Sequence, residues 1–135
     1  MGEKKSEEIN YQVAFGKTFN IYYLERYSNK TVDLIDEFID HFELNGFYAW
    51  KGKIASSNRV PFNYDNRDEI INKAEYYNLW HVHIGIPKWT KSLYGNYHVS
   101  EWVLHFKKNT DYKITLLELG FHNPMTLPSE EICKE

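Results

Sequence analysis

A single cysteine, Cys133, stands in the 135 residues. One thiol excludes an intrachain disulfide and any cysteine-based zinc site, so neither a disulfide-stapled scaffold nor a zinc ribbon fits. No apolar run approaches the length of a membrane span or a signal-peptide core, which gives the expectation of a cytoplasmic protein with no membrane partner. A glycine-rich phosphate loop, a G-x-S-x-G elbow, a Cys-x-x-Cys pair and an internal repeat are missing too, and the chemistries those motifs carry are missing with them. Acid is absent locally. Residues 46–64 hold Lys51, Lys53 and Arg59 with no Asp or Glu, and residues 79–100 hold Lys88 and Lys91 with none, although the formal net charge is −3. A site responds to its local field rather than to the average, so these two segments can attract an anion that the whole chain repels.

What is present is apolar and aromatic surface, at 42% and 17% of residues. That is enough for one domain with a packed core. Residues 1–10 are polar and of mixed charge, and are expected to be flexible. From residue 11, Tyr11, Val13 and Phe15 alternate, then Phe19, Ile21 and Tyr23 do so after Gly16. This reads as a strand broken or bulged at the glycine, with a helical second half as the alternative. Val32, Ile35, Phe38, Ile39 and Phe42 follow at helical spacing, predicting a helix over 31–45 that Gly46 stops. Its other face is acidic. A long basic and aromatic connection leads to a second helix, with Asn66 and Glu69 at capping-box spacing. The domain is expected to span 11–124, leaving 125–135 as a polar tail.

Residues 79–122 carry the pattern most in need of an explanation. LWHVHIGI, SEWVLHFK and KITLLELGFH read as three strands of a meander. In the first, Trp80, Val82, Ile84 and Ile86 fall on one face, and His81 and His83 on the other. His105 alternates against Trp102, Leu104 and Phe106 in the second. In the third, Glu118 and His122 share a parity, but with Ile114 and Leu116. If the strands are neighbours, His81, His83 and His105 converge on one face; the mixed parity of the third strand makes His122 and Glu118 weaker members, with Glu118 in a supporting role. The expected fold is α+β, a mainly antiparallel twisted sheet built from a strand, two helices and a three-stranded meander. Both helices are expected to cover the apolar face, with Trp102 among the residues beneath them, and the histidine face to stay open.

LWHVHIG at 79–85, EWVLHF at 101–106 and ITLLELGFH at 114–122 together resemble the RelE superfamily of bacterial toxins, and within it the YafO-like toxins. The resemblance spans about 11–124 and implies a RelE-like fold. It also implies a cytoplasmic endoribonuclease that cleaves mRNA, commonly on the ribosome. Such an enzyme needs no metal or other cofactor and is neutralised by a cognate antitoxin protein. The chain departs from the family in its slightly acidic charge, many relatives being basic.

Metal-free RNA cleavage needs a base for the ribose 2′-OH, positive charge for the phosphate and an acid for the leaving oxygen. Imidazole performs either proton transfer near neutral pH. His81, His83, His105 and His122 are the candidate catalytic set. Lys51, Lys53, Arg59, Lys88 and Lys91 are candidates for holding RNA, and Trp89 and Tyr94, with Trp50, for stacking on unpaired bases. Two other readings stand beside this one. His-x-His with His105 and either His122 or Glu118 could ligate a metal, and stoichiometric metal in the purified protein would mark that case. Aromatic, basic loops could also bind RNA or protein with no chemistry, and RNA left intact with ribosomes would mark that one.

Overall fold

The computed structural model describes residues 9–135, so the expectation for the N-terminal segment lies almost wholly outside the described residues. The elements run β1 (Gln12–Phe15), α1 (Lys17–Glu25), α2 (Asn29–Asn45), β2 (Ile54–Ser56), α3 (Arg67–Tyr76), β3 (Leu79–Ile86), β4 (Thr90–Lys91), β5 (His98–Val99), β6 (Trp102–Thr110), β7 (Lys113–Phe121) and α4 (Glu130–Cys133). The five-stranded sheet has the order β1-β7-β6-β3-β2, and β4 and β5 form a separate two-stranded ribbon. Only the β1–β7 pair in the main sheet is parallel. The α+β class and the mainly antiparallel sheet follow the sequence reading. So does the meander, with the ribbon inserted between its first two strands.

Gly16 ends the first strand rather than bulging it, and the following segment is helical. Phe19 and Tyr23 are four residues apart, a spacing shared by a helix face and a strand face. Ile21, which a strand would place beside them, is exposed, whereas Phe19 is fully buried and packs edge-on against Phe15 at 4.9 Å. Helix α2 buries Ile35, Phe38 and Phe42 as expected and stops at Gly46, whose φ of 66° few other residues adopt. At α3 the expected capping box is not made. Asn66 adopts a left-handed φ of 58° and its side chain caps nothing.

Of the two helices expected to cover the apolar face, α2 does so and α3 lies on the opposite face. Helices α1 and α2 lie on the face where Phe19, Ile35, Phe38 and Phe42 meet Val82, Ile84, Leu104, Phe106, Ile114 and Leu116. Helices α3 and α4 lie on the other. There Ala74 and Cys133 pack with Leu79 and Leu117, flanked by Tyr77, Leu127 and Ile132. Trp102 does not join the first core. The β3–β6 register slips between His83 and Ile86, and Trp102, 38% exposed, packs instead against Phe121.

Strand β7 carries one residue more than β6 opposite it. His105 pairs with Glu118 while Phe106 pairs with Leu116, which leaves Leu117 as a bulge. The parity of β7 therefore switches at Leu117. Ile114 and Leu116 enter the α1–α2 core, and Glu118, Gly120 and His122 fall on the side of His105.

Beyond Pro124 the chain folds back on the domain. Cys133 is fully buried, and Glu135 at the end accepts hydrogen bonds from the Thr18 amide and hydroxyl, both 2.7 Å, at the first turn of α1. Removing residues 130–135 uncovers Leu79 and Leu117 and leaves that first turn uncapped. We expect the deletion to cost about 2–4 kcal/mol, read as a lower urea midpoint. An unchanged midpoint would contradict the packing described for α4.

Candidate functional site

Pairing of β3 with β6 sets His81 directly opposite His105, and β2 places Ala55 on the far side of His81. The four histidines come together, His122 despite the mixed parity of its strand. Ring centres lie 6.3 Å apart for His81 and His105, 6.2 Å for His81 and His83, 5.5 Å for His81 and His122 and 4.8 Å for His83 and His122. His122 reaches the group because of the Leu117 bulge and because its amide is held by the Glu101 carbonyl at 2.8 Å.

The face that carries them is closed rather than open. His81, His83 and His105 are 4%, 1% and 0% exposed, and only His122 is partly exposed. The buried hydroxyl of Ser57 meets Nδ1 of His81 at 2.9 Å, and Ser100 holds Nδ1 of His83. Among the described residues neither nitrogen of His105 has a hydrogen-bond partner, nor has Nε2 of His83. The His105 ring lies so close over Gly120 that a Cβ there would come within 2.8 Å of Nε2.

Burial sets the protonation of the cluster, because a charged imidazole loses its hydration there. It pushes His81 down to about 3, with the fields of His105, His122 and His83 in support. His83 and His105 fall to about 4, again through burial first and His122 second. His122 is lowered by burial and by the Lys53 cation. Glu118, half-buried opposite His105, is raised by burial, with Lys73 of α3 opposing.

Two cavities flank His122. One, about 400 Å³, is lined by Lys53, His83, Lys91, Tyr94, Tyr97 and His122, together with Ser92, Leu93 and Ser100. The other, about 470 Å³, shares Thr90, Val99, Ser100 and His122 and extends to Glu101 and Asn123. The β4–β5 ribbon borders both, anchored where the Lys53 amide donates to the His98 carbonyl at 2.9 Å.

Of the residues proposed to hold RNA, Lys53, Lys91 and Tyr94 meet the histidines at the first cavity. Lys51 instead pairs with Glu37 of α2 at 2.9 Å, and Lys88 and Arg59 are exposed but outside the lining. Trp89 is committed to packing. Its indole covers Gly52 and Gly85, where a Cβ would approach within 2.7 and 2.6 Å, and the φ of 91° at Gly85 belongs to the slip in β3. Trp50 packs on Phe38 and donates its Nε1–H to the His83 carbonyl at 2.9 Å, so its indole is not free to stack. Tyr97, Ser100 and Ser57 belong to the site and were not chosen from sequence. Tyr97 stood in the same aromatic loop as Tyr94, but the two serines carry no local signal. Among the described residues no three His, Cys, Asp or Glu side chains are placed to share a metal ion, so the alternative metal reading finds no ligand set.

Comparison of the chain with protein-family models, curated proteins and solved structures gave no match.

In the unfolded chain these imidazoles take up protons near pH 6.5, whereas the folded chain refuses them down to about 4 for His83 and His105 and about 3 for His81. The stability they contribute is therefore complete above pH 6.5 and is lost as the pH falls toward 3. Each pH unit of lowering corresponds to about 1.4 kcal/mol, so the loss is comparable with the whole stability of a small domain. His105→Leu should flatten this dependence and at pH 7 leave stability unchanged or raise it by about 1 kcal/mol, since an orphaned polar ring is replaced by an apolar side chain. Urea titrations at several pH values read both effects. An acid loss as steep in the variant as in the wild type would remove His105 from the responsible groups.

Proposed function

We propose that this protein is a metal-independent endoribonuclease, with its reaction centre in the cavity where Lys53, Lys91, His83 and His122 meet Tyr94 and Tyr97. The observation that carries this reading is that meeting itself. Two cations, a partly exposed imidazole and two tyrosines border a space of about 400 Å³, large enough for a phosphate and part of a nucleotide. Leu93 and Tyr94, 91% and 89% exposed, leave the rim unshielded for a base or a protein partner.

The chemistry assigns unequal roles to the four histidines. His122 is the one with access, and its lowered proton affinity keeps it neutral at physiological pH, with a lone pair free to accept a proton. It takes the proton of the ribose 2′-OH as that oxygen attacks the phosphorus. The P–O5′ bond breaks, giving a 2′,3′-cyclic phosphate and a 5′-OH that takes its proton from protonated His122 or from water. Lys53 and Lys91 hold the phosphate and the charge that builds on it. Tyr94 and Tyr97 offer rings for an unpaired base, with Tyr97 already against the Lys53 ammonium at 5.5 Å. His81 and His105, sealed from solvent, shape and insulate the chamber.

The broader setting, a toxin that acts on mRNA at the ribosome and is held in check by a cognate antitoxin, rests on the resemblance of the three strand segments to RelE-superfamily, YafO-like toxins. Element order supports it. A strand and helices precede a meander whose first strand carries the His-x-His pair.

Induced expression should slow growth, and the purified protein should cleave RNA, with ribosomes present if docking is required. His122→Ala should lower the cleavage rate at least about 100-fold, and Lys53→Ala about tenfold, with the fold intact by circular dichroism. A wild-type protein that neither slows growth nor cleaves RNA, with or without ribosomes, would overturn the enzymatic reading.

A further inference from the structure

Resting on the cavity as the reaction centre, the geometry points to a fixed role for His83. The Ser100 backbone holds it as the neutral Nε2–H tautomer, and it donates a hydrogen bond to an oxygen of a phosphate seated between Lys53 and Lys91. His83 is a hydrogen-bond donor to the anion and never the base.

The argument starts from Nδ1. The Ser100 amide donates to it at 2.8 Å. An amide cannot shed its proton, so Nδ1 must present a lone pair. The Ser100 carbonyl lies 2.9 Å from the same nitrogen and would favour a proton there, but that proton would collide with the amide hydrogen. The Ser100 hydroxyl, 3.4 Å away, does not compete. Its one proton goes to the Trp102 carbonyl at 2.9 Å, and it accepts from the Gly85 amide at 3.2 Å. The imidazole proton is therefore on Nε2.

That nitrogen has a donor and nothing to give it to. His83 is 1% exposed and Nε2 is without a partner, a costly arrangement unless an acceptor arrives. His83 and Ser100 both line the cavity that holds Lys53 and Lys91. An anion drawn there by the two cations supplies the missing acceptor. The same amide blocks the imidazolium, which would also need a proton on Nδ1. The titratable groups acting on the ring are His122, 4.8 Å away, and the Lys53 cation, with the neutral His81 ring at 6.2 Å and no carboxylate among them. His122 and Lys53 both disfavour a second proton. A neutral donor gains no charge during the reaction, so the single base of the pH profile is His122.

Nitrogen-15 spectra of the histidine-labelled protein, with His83 assigned through its own side-chain carbons, read the tautomer directly. A bare Nδ1 and a protonated Nε2 are expected, unchanged from pH 8 to 6. Added inorganic phosphate should shift the Nε2–H signal. His83→Leu should weaken phosphate binding about tenfold or more, and His83→Gln, which restores an N–H donor, should stay within about threefold of wild type. A proton on Nδ1, an imidazolium near neutrality, or equal phosphate binding by His83→Leu would overturn the assignment. RNA left uncleaved while tautomer and phosphate binding behave as stated would remove the enzymatic reading alone.

Discussion

One extra residue in β7 sets the relation between the two faces of the sheet. Up to Leu116 the strand feeds the core beneath α1 and α2. Past Leu117 its even-numbered residues turn to the opposite side, so that Glu118 pairs with His105 and Gly120 lies under the His105 ring. A regular strand could not do both, because a period of two would send Leu116 and His122 to one face. With Leu116 fixed in the core, His122 would then lie on the α2 side, away from the other three histidines. The bulge is what allows a complete apolar core and a complete histidine cluster in the same sheet.

The cluster then divides by access. His81, under Ser57 of the segment after β2, and His105 are buried, while the β4–β5 ribbon leaves room beside His83 and His122. Neutral imidazoles tolerate such burial where charged ones would not, so the sealed pair needs no counter-ion, and none of the effects on His81 or His105 comes from a carboxylate. A chamber that keeps its buried members uncharged leaves the Lys53 and Lys91 cations and the accessible His122 to define the field an incoming anion meets.

The pairing of His81, His83 and His105 could be read from alternation alone, because β3 and β6 keep their register across those positions. Membership of His122 could not, since the run Leu116, Leu117, Glu118 contains no glycine or other mark of a bulge. Closure of the histidine face was equally hidden. The same face carries Leu79 and Leu117, which are covered by Ala74 of α3 and Cys133 of α4, distant in sequence, and Cys133 sits in a segment whose composition reads as a polar tail. Lys53 and Lys51 are two residues apart in one basic stretch, yet one lines the cavity and the other pairs with Glu37. Charge in a sequence locates a basic segment, and only the fold decides which cations of it remain available. Phe19 and Tyr23 make a similar point, since a four-residue spacing fits strand and helix alike until a partner for Phe15 is known.

The division into two sealed imidazoles, His81 and His105, and an accessible one, His122, is the central claim, and diethyl pyrocarbonate tests it most directly. The reagent acylates solvent-accessible neutral imidazoles, and mass spectrometry of proteolytic fragments locates each modification. Brief treatment of the native protein at pH 7 should label His122 together with the exposed His98, and leave His81 and His105 unlabelled until the protein is denatured. Labelling of His81 or His105 in the native state at a rate near that of His122 would contradict the closed face on which the account depends.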